Sequence, residues 1–243
     1  MRIDAEGLQY RELNERIRAA VASGMREIEL DNVRGQRYIG VGLGEGVRIT
    51  VNGVPGNDLA AFMNGAELTI HGNAQDGVGN TMNGGTLIIH GDAGDILGHA
   101  MRGGRIFVRG NVGYRAGIHM KAYRSRFPVV VVGGRAGPYL GEYMAGGVLA
   151  VLGLDSDGRV PVGEYVGTGM HGGTLYVRGR PEPWQVGREV AMHELDDDEW
   201  QELAGILADY AGAFGLNGSQ FRRDEFVLLA PFSSRPYGTL YTY

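Results

Sequence analysis

The sequence predicts an all-β protein, a parallel β-helix built from single-stranded turns of about 19 residues, with a helix at its amino end and a helix and tail at its carboxyl end. Three observations predict it. The phrase MNGAELTIHGN recurs as MNGGTLIIHGD and MRGGRIFVRGN, opened by Met63, Met82 and Met101 at equal intervals of 19 residues. Within each copy apolar side chains alternate with others, at Leu68 and Ile70, Leu87 and Ile89, Ile106 and Val108, the period of a strand buried on one face. One strand per turn cannot cover its own apolar face, so each copy needs its neighbours, which is the logic of a solenoid.

The register extends in both directions. Met120, Met144 and Met170 continue the column, so it holds six of the nine methionines. Three residues before the methionines stand Ala60, Gly79, Gly98, Gly117, Gly141 and Gly167, preceded by the aliphatic series Leu59, Val78, Leu97, Ala116, Leu140 and Val166. The strand columns run on through Val130 and Val132, Leu149 and Val151, Leu175 and Val177, and back through Ile49 and Val51 to Ile28 and Leu30, making eight turns. A flexible thioether at a fixed repeat position fits an interior ladder. Gly72, Gly91 and Gly110 close three strands and are expected to turn corners at positive φ.

Residues 1–25 are expected to form a cap, with Tyr10, Leu13, Ile17, Ala20 and Val21 on one helical face and Gly24 as the stop. The repeat body occupies 26–180. Residues 181–243 hold a linker, PEPWQVG, then an acidic helix over Leu195 to Phe214 with Trp200, Leu203, Ile206, Leu207 and Tyr210 on one face. An apolar strand, FVLLAPF, and a tail ending in RPYGTLYTY complete the chain.

Two intervals are long: 24 residues separate Ile106 from Val130 and 26 separate Leu149 from Leu175. The first holds HMKAYRSRFP, the most basic stretch of a chain whose net charge is −5. Insertions project from one face of a solenoid and often bind. The candidate docking residues are therefore Arg115, His119, Lys121, Tyr123, Arg124 and Arg126.

Other patterns carry less. GTGMHG at 167–172 fits a dinucleotide fingerprint, but a strand, TLYVRG, follows it where the chemistry requires a helix amino terminus. His71 and His90 share a repeat position with Arg109 and Arg178, and His99 lies in another column, which leaves a metal short of ligands. Asp76 and Asp95 share a column between Asn57 and Tyr114, where carboxylates serve turns more often than acid and base work. No catalytic, cofactor-binding or metal residue is assigned. Cysteine is absent, so thiolate-held iron–sulfur clusters and thiol nucleophiles belong to other chains. An acidic chain disfavours nucleic acid, no run of about 18 apolar residues suggests a membrane span, and the start MRIDAEGLQYREL reads without a signal segment; a soluble, cytoplasmic protein is expected.

Taken with GNAQDGVGNTMNGGTLIIHGDAGD, GHAMRGGRIFVRGNVGYRAGIHMKAYR, VVGGRAGPYLGEYMAGG and GTGMHGG, the chain resembles the GXGXG domain family. That family includes the right-handed parallel β-helix at the carboxyl end of the glutamate synthase large subunit, its separately encoded archaeal-type counterpart, and the β-helix subunit of formylmethanofuran dehydrogenase. The resemblance implies a scaffold without catalytic residues in a hetero-oligomer. In glutamate synthases of this kind, the resemblance implies, glutamine is hydrolysed by a partner amidotransferase and 2-oxoglutarate is converted to glutamate on a partner FMN and iron–sulfur synthase subunit. Alternatives are the equivalent subunit of a methylamine-glutamate methyltransferase or of formylmethanofuran dehydrogenase, or a self-sufficient β-helix enzyme such as a polysaccharide lyase.

Overall fold

A computed structural model describes residues 1–233. The predicted tail RPYGTLYTY, residues 235–243, lies outside them. Among the described residues eleven strands form one sheet. After β1 (Arg2–Asp4) and helix α1 (Tyr10–Ala22) come β2 (Glu27–Arg34), β3 (Arg48–Val54), β4 (Asn64–His71), β5 (Gly84–Ile89), β6 (Gly104–Val108), β7 (Pro128–Val132), β8 (Ala145–Val151) and β9 (Gly172–Arg178). Then follow β10 (Val190–Glu194), helix α2 (Asp197–Phe214) and β11 (Phe226–Pro231). Strands β1 to β9 are parallel in chain order, which is a parallel β-solenoid.

The register is the one the period predicts. Ile28 pairs with Ile49, Ile49 with Leu68, Leu68 with Leu87, Leu87 with Ile106, Ile106 with Val130, Val130 with Leu149 and Leu149 with Leu175. All six column methionines are fully buried and belong to one apolar core with the strand residues and the aliphatic series. The stack is longer than the methionines suggest. Ile39, Gly40 and Leu43 supply one further corner before Met63, and Val186, Gly187 and Val190 supply another after Met170.

One expectation is overturned. Gly72, Gly91 and Gly110 do not adopt positive φ. They are glycine because a Cβ would run into the turn beneath: at Gly91 into Gly72 C at 2.8 Å, at Gly110 into Gly91 O at 2.9 Å. Close approach, not conformational freedom, fixes these positions.

Both ends of the core are closed. At the amino end α1 places Leu13, Ile17 and Ala20 against Ile3, Ile28, Leu30 and Ile39, and β1 adds a parallel strand with a single inward residue, too short for a sequence period. The buried Asn14 amide donates to Tyr10 O (2.7 Å) and Arg37 O (2.8 Å). The buried Gln36 amide donates to Ala5 O (3.0 Å) and Leu8 O (3.2 Å), so the cap buries these polar groups with partners. At the carboxyl end the direction reverses: β11 runs antiparallel to β9, and β10 antiparallel to β11. Val227 and Leu229 face the main core, while Phe226 and Leu228 face a second core beneath α2.

Helix α2 starts on an Asp196–Glu199 capping box and ends at Gly215, whose φ of 63° is the left-handed stop. It lays Leu203, Leu207 and Tyr210 on the outer face of β6 to β9, against Phe107, Val131, Ala150 and Tyr176. Among the described residues no helix is long and apolar enough to cross a membrane.

Candidate functional site

Seven turns contain a short stretch in which alternate residues are left-handed. The triples are Tyr38, Gly40 and Gly42; Asp58, Ala60 and Phe62; Gly77, Gly79 and Thr81; Ile96, Gly98 and Ala100; Arg115, Gly117 and His119; Tyr139, Gly141 and Tyr143; and Tyr165, Gly167 and Gly169. The middle residue faces the interior. A Cβ on Gly117 would sit 2.9 Å from Leu149 Cδ2, and one on Gly79 would strike Ile106. The outer two project away from the core and are free to carry large side chains. A G-x-G-x-G pattern is thus the sequence trace of a backbone that is left-handed three times within five residues, with the middle glycine also crowded by the next strands in several turns.

The projecting side chains make a strip along one face. Tyr139 stacks on Tyr165 with centroids 4.9 Å apart, and Arg115 lies over Tyr139 at 4.5 Å while its Nε donates to Glu142 Oε2 at 2.9 Å. His119 stacks on Tyr143 at 5.3 Å, and His99 meets His119 edge-on at 6.0 Å. Burial, then the neighbouring His119, pushes the His99 pKa down, with Asp58 opposing.

The six predicted docking residues divide into two groups. Arg115 and His119 belong to this strip, both tied to Glu142, since the His119 N–H donates to Glu142 O at 3.0 Å. Lys121, Tyr123, Arg124 and Arg126 lie on the inserted segment, a tight exposed hairpin closed by reciprocal Tyr123 and Arg126 backbone hydrogen bonds of 3.0 Å. The insertion is seated on glycines. A Cβ at Gly103 would meet Arg126 Cβ at 2.9 Å, and one at Gly146 would meet Ala122 N at 2.6 Å.

Sequence reasoning missed Arg102. It follows Met101 in the column Asn64, Asn83, Arg102, Lys121, and its Nε is buried without a hydrogen-bond partner. The one available signal was an arginine where the two preceding copies carry asparagine.

The remaining patterns lie in ladders and corners of the stack. His71 and His90 stack at 4.9 Å, His90 meets Phe214 of α2 edge-on at 5.3 Å, and burial together with His71 lowers the His90 pKa. Among the described residues no three metal-ligating groups converge. Asp76 Oδ1 accepts the Asp95 N–H at 2.9 Å and Asp95 Oδ1 accepts the Tyr114 N–H at 2.8 Å, so these carboxylates bind one turn to the next. A second such ladder joins Asn73, Asp92, Asn111 and Arg135, written in the sequence as the residue after each strand-closing glycine. GTGMHG is one more left-handed corner leading into β9.

The fold and the strip define a class: a capped parallel β-solenoid whose corners are left-handed glycine triplets and whose surface ladders are bonded turn to turn. The chain belongs to the GXGXG motif family, whose pattern matches residues 17–221. It is also 43% identical over 249 residues to the uncharacterized protein MJ1350 of Methanocaldococcus jannaschii, covering 99% of this chain and 95% of that relative.

Proposed function

We propose that this chain is a non-catalytic scaffolding subunit of a glutamate synthase complex. The reaction that turns glutamine and 2-oxoglutarate into glutamate is carried by a glutamine amidotransferase and by an FMN and iron–sulfur synthase subunit. The observation that carries the reading is the GXGXG match over 17–221, which runs from within α1 to beyond α2 and so treats the capped solenoid as one body. A rigid body with aromatic and charged ladders on its surface suits holding other chains at fixed separation, because the hydrogen-bonded stack leaves little freedom between turns.

The test is recovery of the tagged chain from its own cells. The expected result is co-purification with amidotransferase and flavin-bearing chains, and glutamine-dependent glutamate formation by the assembly but not by the chain alone. Recovery of the chain by itself, or turnover by the isolated polypeptide, overturns the reading. Recovery with methyltransferase or formylmethanofuran dehydrogenase chains reassigns it to the sibling complex.

A further inference from the structure

The inserted hairpin concentrates cations, with Lys121, Arg124 and Arg126 close together in the chain. Around it, cations have carboxylate partners: Arg105 reaches Asp209 at 3.5 Å, Arg109 reaches Asp155 at 3.7 Å and Arg115 reaches Glu142 at 2.9 Å. Arg102, Lys121, Arg124 and Arg126 have none among the described residues.

Three of these lie together on adjacent turns, and Arg124 is at the tip of the same hairpin. The Arg102 N–H donates to Met82 O (2.8 Å) and the Lys121 N–H to Met101 O (3.0 Å), so the two residues occupy one position in consecutive turns, spaced by the strand separation of about 4.8 Å. Arg126 lies against Gly103, the residue after Arg102. Like charges stacked at that spacing repel, and the Arg102 Nε is in addition shut away from water without an acceptor. Lys121 is the only lysine in the 243-residue chain. Arg124 holds the hairpin tip at φ 58°, where asparagine or glycine would be unstrained. Tyr123 and Phe127 flank the cations and are 44% and 49% exposed.

We infer that Arg102, Lys121, Arg124 and Arg126 form a docking clamp for a carboxylate-bearing segment of a partner protein, with Tyr123 and Phe127 as its apolar contacts. A carboxylate brought by the partner meets the terminal nitrogens of Arg102, which unlike its Nε are not shut away, and neutralises the stack. Arginine beside exposed aromatic rings is the composition of energetically dominant interface residues. A polyphosphate chain is the poorer fit, because the whole molecule carries a net charge of −5 and would repel a long polyanion beyond the hairpin. The clamp differs from the sequence-based set in gaining Arg102 and Phe127 and in losing Arg115, whose charge Glu142 already satisfies, and His119, which stacks on Tyr143.

This inference rests on the subunit reading, and one experiment separates the two. In the assembly purified through the tagged wild-type chain, carbodiimide coupling should join the Lys121 amine to an Asp or Glu of a partner chain, read by mass spectrometry. The triple variant Lys121→Glu, Arg124→Glu, Arg126→Glu should weaken assembly by about tenfold or more, with the melting temperature of the free chain unchanged. A matched reversal of the exposed Arg18, Arg159 and Arg188 should leave assembly as it was. Arg102→Met should weaken assembly while raising the melting temperature of the free chain, since it removes the orphaned Nε; a purely structural arginine would lower both. An assembly that survives the triple reversal at full affinity overturns the clamp and leaves the subunit reading standing. A wild-type chain that assembles with nothing overturns both. Duplex DNA bound at physiological salt, and released by the triple reversal with assembly intact, overturns the clamp in favour of a phosphate ligand.

Discussion

The outer face of the sheet is two different surfaces on one backbone. Between the inward-pointing residues, β3 and β4 carry Thr50 and Thr69, half-buried, and beside them Arg48 and Glu67, exposed. From β6 onward the first of these positions becomes Phe107, Val131, Ala150 and Tyr176, and from β7 the second becomes Val129 and Val148, all buried under α2. The inward positions do not change across this border: Leu68, Leu87, Ile106, Val130 and Leu149 are equally buried and in register. The stack is therefore specified by its interior alone, and its outer face is free to be rewritten wherever another element is to dock.

The largest test of that division places a charge under the helix. Leu203→Asp leaves a carboxylate unpaired between α2 and the strands and should destabilise the chain by about 3–5 kcal/mol. Thr69→Asp, on the uncovered surface, should shift stability by roughly 0.5 kcal/mol or less. Denaturant titration of both variants breaks the comparison if the two costs are alike.

The interior should be indifferent to the border. Met63→Ala lies in the uncovered half and Met101→Ala in the covered half, both fully buried. Each should cost about 2–5 kcal/mol by transfer and cavity terms together. Equal costs in chemical denaturation support one continuous core, and a cost confined to Met101 would mean that α2, not the stack, holds the molecule together. A finer contrast follows from hydroxyl burial. Val131→Thr, under α2, should cost about 1–3 kcal/mol for a buried hydroxyl without a partner. Thr69→Val, outside, should change stability by roughly 0.5 kcal/mol or less.

What the sequence disclosed follows the same border. The inward columns were legible because they repeat: eight strands, their register and the buried methionines all follow from spacing. The covered face was legible only in part. FPVVVV is apolar at consecutive positions, the pattern of a strand buried on both faces, yet a search keyed to alternate residues uses only Val130 and Val132. The sequence shows α2 through its apolar stripe but not its seat, which is a long-range matter of Tyr210 meeting a glycine, Gly133. At that repeat position earlier turns carry His71, His90 and Arg109, so the glycine was visible as a departure and its reason was not. Strand-closing glycines were found for the wrong reason, since residue type does not distinguish close approach from left-handed φ. The docking hairpin showed as an insertion, while Arg102 showed only as a departure from Asn64 and Asn83, and its reason only through the burial of its Nε.

The smallest effect concerns the phenols that α2 and the sheet bury between them. The Tyr210 hydroxyl donates to Val108 O at 3.2 Å and the Tyr176 hydroxyl to Glu202 Oε2 at 3.2 Å. Burial pushes both pKa values well up, helped at Tyr176 by Glu202. Tyr210→Phe should cost about 0.5–1.5 kcal/mol at neutral pH, the net worth of one hydrogen bond. The pH dependence has a fixed sign. Below the ordinary tyrosine pKa of about 10 the phenols are protonated in both states and contribute no slope. Above it the unfolded chain loses protons that the folded chain keeps, so stability falls as pH rises. Tyr210→Phe removes one of the two groups responsible and should flatten the decline, although it lowers stability at pH 7. Melting followed from pH 8 to pH 11 decides the matter. An alkaline slope left unchanged by Tyr210→Phe and Tyr176→Phe together would mean that the covered face is wet, and the two outer surfaces would then differ in composition but not in burial.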